Sequence, residues 1–289
     1  MTEFGHGDKM VKKIAAICTA TAAVLTFTGI FFHCQNNFIE TTHLHFQSQK
    51  LPESFGGFQI VHISDLHNKS FGKDNAVLLD KIEKETPDII VITGDIVDSR
   101  HTDFDVSLRF ASHCVKIAPT YYVSGNHEHR FESTEEMFKA LKNVGVTVLE
   151  DEKTEIRRGE DKIMLYGLSA KHEDGILSDY VSQITALRDK KDDDAFSVLL
   201  AHYPQYLYDY AKAGFDLVFS GHAHGGQIRI PFTNQGLFAP DQGFFPKYTG
   251  GEYIENNTVM YLSRGLGNSL FPLRLFDRPQ LIVVTLKGE

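Results

Sequence analysis

Hydrophobic and polar positions change period along this chain, and each change marks an element. From Ile14 to Phe32 the run IAAICTATAAVLTFTGIFF is continuous and uncharged. Roughly 20 apolar residues cover a bilayer core, so the run predicts one membrane-spanning helix. Lys9, Lys12 and Lys13 precede it and no Lys or Arg follows until Lys50. That asymmetry predicts a cytoplasmic tail at 1–13, an anchor at 14–34 and everything after it outside. A cleaved signal peptide would have a shorter apolar stretch ending in a small-x-small site, whereas this one runs into Phe31-Phe32-His33-Cys34, so an uncleaved anchor is expected. Residues 1–9 differ in texture from the rest of the chain, and Met10 is a second candidate start.

Residues 35–57 read as a tether carrying one edge strand at His43–Phe46, ahead of a domain at 58–289. Within that domain short apolar runs alternate with helix-spaced ones. FQIVHIS (58–64), DIIVIT (88–93) and TYYVS (120–124) predict strands; 74–85 and 104–117 predict helices, and Ser133 with Glu136 predicts a capping box opening a helix to Asn143. Beyond this, strands are predicted at 146–149, 154–158 and 162–168 with antiparallel pairing, then at 196–201 and 215–220 around a helix near 204–213. The tail adds strands at 226–230, 251–255, 258–263 and 281–286, with Asn256-Asn257 as a hairpin turn. Parallel βαβ units beside a more antiparallel half predict an α/β fold, an α+β sandwich of two packed mixed sheets flanked by helices.

Composition narrows the function. The chain has 289 residues, 29 basic and 38 acidic side chains, and a formal net charge of −9. Such a balance matches a polyanion poorly, so nucleic-acid partners rank low. The three cysteines form no disulfide framework. The informative chemistry sits where the predicted strands end. Strand one ends in Asp65-Leu66-His67, the next in Gly94-Asp95-Ile96-Val97-Asp98, the third in Gly125-Asn126-His127-Glu128, and the later buried strands in His202 and Gly221-His222-Ala223-His224. Open α/β sheets place their sites at these ends. Carboxylate oxygens and imidazole nitrogens suit divalent Mn, Fe or Zn alike, and the absence of cysteine argues against a closed structural zinc site. Asp95 is the natural bridge between two cations, having two carboxylate oxygens.

The ordered series Asp-x-His, Gly-Asp-x-x-Asp, Gly-Asn-His-Glu, His and Gly-His-x-His over residues 58–230 resembles the calcineurin-like metallophosphoesterases. That resemblance implies two divalent ions, one on Asp65, His67, Asp95 and His224, the other on Asp95, Asn126, His202 and His222. It implies in-line attack by a hydroxide bridging the ions on a phosphomonoester, phosphodiester or pyrophosphate. His127 would protonate the leaving oxygen or stabilise the transition state, oriented by Asp98. The segments 223–231, Ser263-Arg264-Gly265-Leu266-Gly267 and Pro272-Leu273-Arg274-Leu275-Phe276 resemble the bacterial membrane-associated YkuE and YaeI type, within which Arg264 is a candidate phosphate contact. The anchor makes a lipid-linked or envelope substrate, small or membrane-bound, the expected partner.

Other residues invite plainer readings. His43, His45, His62, His101, His113, His129 and His172 share no spacing and read as ordinary polar positions, with His129 and His172 near the site edge. The aromatic stretch Phe232–Tyr248 would either rest on a membrane, line a lipid pocket, or pack over the second sheet. Glu128 stands where many relatives carry Asp, and no ligand role is expected of it. The rival functions are a noncatalytic metal-binding scaffold, which would typically lack His127 or several ligands, and a nuclease, which the net charge disfavours.

Overall fold

Helix α1 (Phe4–Asn37) opens the chain, and the most apolar 18-residue window within Met10–Asn37 has a mean hydropathy of 2.0 and is not buried against the rest of the protein. It is the one helix among the described residues long and apolar enough to cross a membrane. The computed structural model describes residues 4–101, 103–130, 133–171, 178–192, 194–269 and 271–288; His172 lies outside them. The end of α1 is tied to the body. The Asn36 side-chain oxygen accepts from the Arg274 N–H at 2.9 Å, the Lys69 ammonium donates to the Asn36 carbonyl, and Phe31 meets Phe276 edge to face at 5.9 Å.

Strand β1 (Glu40–Gln47) comes almost at once, leaving a short tether. Then come β2 (Gln59–Ile63), α2 (Ala76–Lys84), β3 (Ile89–Thr93), α3 (Asp105–Ile117), β4 (Thr120–Val123), the single turn α4 (Asn126–His129), α5 (Thr134–Asn143) and β5 (Thr147–Val148). The second half comprises β6 (Glu152–Arg158), β7 (Asp161–Leu168), α6 (Ser178–Arg188), β8 (Ser197–Ala201), α7 (Leu207–Lys212), β9 (Leu217–Ser220), β10 (Phe238–Ala239), β11 (Gly243–Phe244), β12 (Gly251–Glu255), β13 (Thr258–Leu262) and β14 (Gln280–Lys287).

These strands form two six-stranded mixed sheets, β1-β14-β2-β3-β4-β5 and β12-β13-β9-β8-β7-β6, and a small β10-β11 pair. Strands buried on both faces need apolar residues at successive positions, and IIVIT in β3 and SVLLA in β8 supply them. Alternation then sorts the side chains. Ile89 and Val91 of β3 and Val198 and Leu200 of β8 meet in the core between the sheets. Ile90 and Ile92 face Leu78, Phe110 and Met137 of α2, α3 and α5, whereas Leu199 and Ala201 face Tyr180, Ile184 and Leu207 of α6 and α7. The expected sandwich of two sheets with helices outside is the fold observed.

Three local expectations change. The segment 226–230 is not a strand: positive φ at Gly226 (80°) and Gln227 (58°) swings the chain round, leaving isolated bridges from Ile228 to Leu275 and from Arg229 to Gly236. β5 pairs parallel with β4 instead of antiparallel with its successors. Ser133 occupies the N-cap of α5, but its side chain makes no capping bond.

Candidate metal centre

The parallel arrangement brings the C-terminal ends of β2, β3 and β4 in one sheet to the same edge as those of β8 and β9 in the other. The loops beyond are laced by backbone bonds. Asp65 N–H donates to Gly94 O, His67 N–H to Asp95 O and Asn68 N–H to Ile96 O, each at 3.0 Å. Across the sheets the His222 N–H reaches the Asp65 carboxylate at 3.1 and 3.2 Å, and the His202 Nδ1–H donates to the Thr93 carbonyl at 2.7 Å. An added Cβ at Gly125 would fall on the Asp95 carboxylate, and one at Gly221 on Ser64 and Asp65, so both positions need glycine for close approach. Asp65, His67, Asp95, His222 and His224 all hold positive φ, between 47° and 70°, a conformation that side-chain-bearing residues adopt at a cost.

Two groups of buried donors result. Asp65, His67, Asp95 and His224 offer atoms within 4.8 Å of one another, as do Asp95, His202 and His222. Asp95 belongs to both. Its Oδ2 lies 3.2 Å from His202 Nε2 and 3.7 Å from His67 Nε2. The rings of His67 and His224 approach at 3.1 Å between their Nε2 atoms, and His224 Nε2 lies 3.4 Å from Asp65 Oδ1. Asn126 lines the same cleft, and its buried Oδ1 has no hydrogen-bond partner. An orphaned amide oxygen beside converging imidazole nitrogens and carboxylates is a donor set that fits divalent cations.

For His202 and His222, neighbouring contacts set which nitrogen the ring offers. His202 gives its Nδ1–H to Thr93 O and keeps Nε2 toward Asp95, whereas His222 bonds Asp241 Oδ2 through Nε2 at 2.9 Å and turns Nδ1 to within 3.2 Å of His202. Fixing the far nitrogen with a carbonyl or carboxylate is how metal-ligating histidines are oriented. Electrostatics point the same way. Burial holds His67 and His224 far below the ordinary imidazole range, to about 3 for His67, leaving lone pairs available. Burial also lifts Asp65 to about 6. His202 behaves oppositely: burial would lower it, but the Asp95 charge and hydrogen bond carry it to about 10. Burial would raise Asp95, and the positive His202 overcomes this and keeps it well below the carboxylate range. Without an ion, a proton on His202 supplies the positive charge that this pair of carboxylates needs.

The predicted catalytic residues divide. His127 lines the open cleft of about 230 Å³, edge to face with His67 at 4.6 Å. Asp98 lies 3.7 Å from its Nδ1, too far for a hydrogen bond, because its carboxylate is gripped by Arg100. The Ser99 N–H donates to His127 Nδ1 at 3.0 Å instead, with Ser99 Oγ at 3.1 Å. Arg264 does not line the cleft: it pairs with Glu40 at 3.1 Å and stands 3.9 Å from the buried Asp277. The arginines that do line it are Arg100 and Arg130.

Sequence reasoning passed over five further residues: Ser99, Arg100, Arg130, Asp241 and Glu128. Glu128 is fully buried and accepts from the N–H groups of Asp95 (2.9 Å), Ile96 (2.9 Å), Val97 (3.3 Å) and Gly125 (2.6 Å). It is the post that holds the β3 and β4 loops in register. Burial, and then the neighbouring Asp95 charge, lift its carboxyl to about 8. Its signal was its position three residues after Gly125 at a helix start, where an acidic residue can reach back to the N-cap. His62 and His129 behave as ordinary partnered histidines, bonded to Thr93 Oγ1 at 2.8 Å and Ser124 Oγ at 2.6 Å.

Comparison with known proteins agrees with this geometry. The calcineurin-like phosphoesterase family matches residues 58–226, the stretch that carries all seven donor residues. The chain is 32% identical over 277 residues to the metallophosphoesterase YkuE of Bacillus subtilis, covering 90% of each. It is 28% identical to the phosphodiesterase YaeI of Escherichia coli, covering 92% of this chain and 95% of that one. A transmembrane protein with a metallophosphoesterase domain from Danio rerio is 24% identical over 83% of the chain. With a family match over more than half its length and a full-length relative above 30% identity, this protein belongs to the calcineurin-like phosphoesterases.

Proposed function

We propose that this protein is a dinuclear metal-dependent hydrolase of phosphoesters, held at a membrane by α1 with its N-terminus inside. The observation that carries the reading is Asp95, shared by two buried donor groups whose remaining members come from other strand ends. Asp65, His67, Asp95 and His224 would hold one ion, and Asp95, Asn126, His202 and His222 the other. Two such ions supply a hydroxide at neutral pH and neutralise charge on the transferring phosphoryl group. The chain's own residues do the rest. Arg100 and Arg130 border the cleft and are placed to meet non-bridging phosphate oxygens. His127 acts as a hydrogen-bond donor through Nε2, because the Ser99 N–H occupies Nδ1. Asp98 then serves by fixing Arg100. The name of the relative YaeI makes a phosphodiester the first bond to test.

The test is elemental analysis and turnover of the full chain in detergent with Mn, Fe or Zn. The unaltered protein should retain about two ions and hydrolyse bis-p-nitrophenyl phosphate. Asp95→Asn should lose both ions and turn over about 10,000-fold more slowly, the scale seen when one member of a unit is removed. Retention of a single ion, or full activity in Asp95→Asn, would defeat the shared-bridge reading.

A further inference from the structure

The loop between Ile230 and Tyr248 and the segment 271–276 expose phenylalanines that neither packing nor backbone preference explains. Phe232, Phe244 and Phe245 are exposed by 107%, 71% and 63%, and Phe238, Phe271 and Phe276 are about half exposed. Phe232, Phe245 and Phe276 also have φ of 64°, 54° and 55°. A bulky residue in this left-handed region is an outlier, since glycine or asparagine fits there without strain. These residues therefore bring strain to the fold and bury little in it.

Their placement is not random. Phe238 and Phe244 pair across the β10–β11 ladder with rings 5.3 Å apart, and Phe238 and Phe271 line one wholly apolar groove of about 240 Å³ with Ile228 and Leu237. The loop has a second side: Pro240 and Asp241, with Ser269 ahead of the 271–276 segment, form part of the wall of the metal cleft. At its other end the face joins the anchor, because Phe276 packs on Phe31 of α1 and Asn36 is bonded to Arg274 and Asn268. The apolar face thus runs from the foot of the anchor to the rim of the cleft. Aromatic side chains are the residues that settle at a membrane interface.

We propose that this phenylalanine face seats in the bilayer that receives α1, holding the mouth of the metal cleft at the lipid surface, where it would meet phosphoesters presented by the membrane. The inference rests on the reading of α1 as an anchor. It does not depend on the catalytic one.

The chain contains no tryptophan, so a single introduced one is a clean probe. Four variants of the full metal-loaded chain would be placed in nanodiscs of phosphatidylethanolamine and phosphatidylglycerol, with plain or brominated acyl chains. Phe244→Trp and Phe271→Trp test the face, and Phe27→Trp reports on the anchor. Glu160→Trp, in the exposed β6–β7 turn at the opposite end of the sheet from the cleft, is the solvent control. The expected result is bromine quenching of at least about twofold at positions 27, 244 and 271, the shallow insertion of an interfacial element sufficing for the last two, and none at 160. Quenching at 27 alone overturns the proposal. So does blue-shifted but unquenched emission at 244 and 271, which would assign the face to a second copy of the chain. Absence of quenching even at 27 removes the anchor and the proposal with it. Turnover of bis-p-nitrophenyl phosphate in the same discs reports on the hydrolase reading independently.

Discussion

The metal centre and the phenylalanine face carry the same kind of backbone strain in opposite surroundings. At the centre, Asp65, His67, Asp95, His222 and His224 hold positive φ while buried; on the face, Phe232, Phe245 and Phe276 do so while exposed. Buried strain is sustained from within. Glu128 ties four N–H groups, the β2 and β3 loops share three backbone bonds, and Asp95 with His202 balances charge. On the face the backbone is held as well, with Phe245 N–H on Leu237 O at 2.9 Å and Leu275 N–H on Gln227 O at 3.1 Å, but the phenylalanine rings stay exposed. Strain persists where surrounding structure over-determines it or where function selects it, and the contrast is one of chemistry: the buried site gathers oxygen and nitrogen donors, the exposed one presents apolar rings.

The sharpest way to break this contrast is at His127. Replacing it with Ala should leave the donors in place and metal content unchanged, while lowering turnover by roughly 100- to 1,000-fold, as loss of a preorganised donor does. Because the ring is read as a donor instead of an acid, the loss should be similar for esters with good and poor leaving groups; a loss confined to poor leaving groups would restore the acid role.

A smaller effect concerns protons. His202 has its folded value near 10, above the ordinary 6.5, so in metal-free protein its charge contributes stability that is complete below about 6.5 and is lost as pH rises toward 10. An ion must displace that proton. Apparent metal affinity of the His202 site should therefore rise with pH across this window, by up to about tenfold per unit, with about one proton released when that site fills at pH 7.5. Calorimetric titration in two buffers of different ionisation enthalpy measures this; affinity that does not change with pH would contradict the His202–Asp95 pairing.

The smallest effect sharpens the other side of the comparison. Phe232→Gly removes strain at an exposed position and should stabilise the detergent-solubilised protein by about 1 kcal/mol, read from the denaturant midpoint. The same change at His222 relieves the same strain but deletes a donor, so metal-dependent stabilisation should fall. If Phe232→Gly destabilises, the phenylalanine packs within the fold and the external reading of this face weakens.

Much of the centre was legible because its chemistry is written in residue type and order. Asp65, His67, Asp95, Asn126, His202, His222 and His224 each come just after an apolar run short enough to be a strand, and parallel topology sends such ends to one edge. The residues passed over act through geometry instead. Ser99 reaches His127 Nδ1 with its backbone N–H, which every residue but proline possesses, as well as with Oγ, and a lone serine in a loop announces neither contact. Asp98 was read as the partner of His127, but a carboxylate two residues from Arg100 is captured by the nearer cation. Arg264 has the right chemistry in the wrong place, since Glu40 and Asp277 claim its guanidinium.

By itself, then, the order of apolar runs and polar endings determined the two-sheet architecture, the family and the donor types, because strand period and ligand chemistry are local properties of the chain. Which ring nitrogen faces inward, which carboxylate holds which cation, and which arginine borders the cleft were decided only when loops from two sheets closed on each other. Hydrogen bonds reach about 3 Å, and no spacing along a sequence encodes contacts that short between segments distant along the chain.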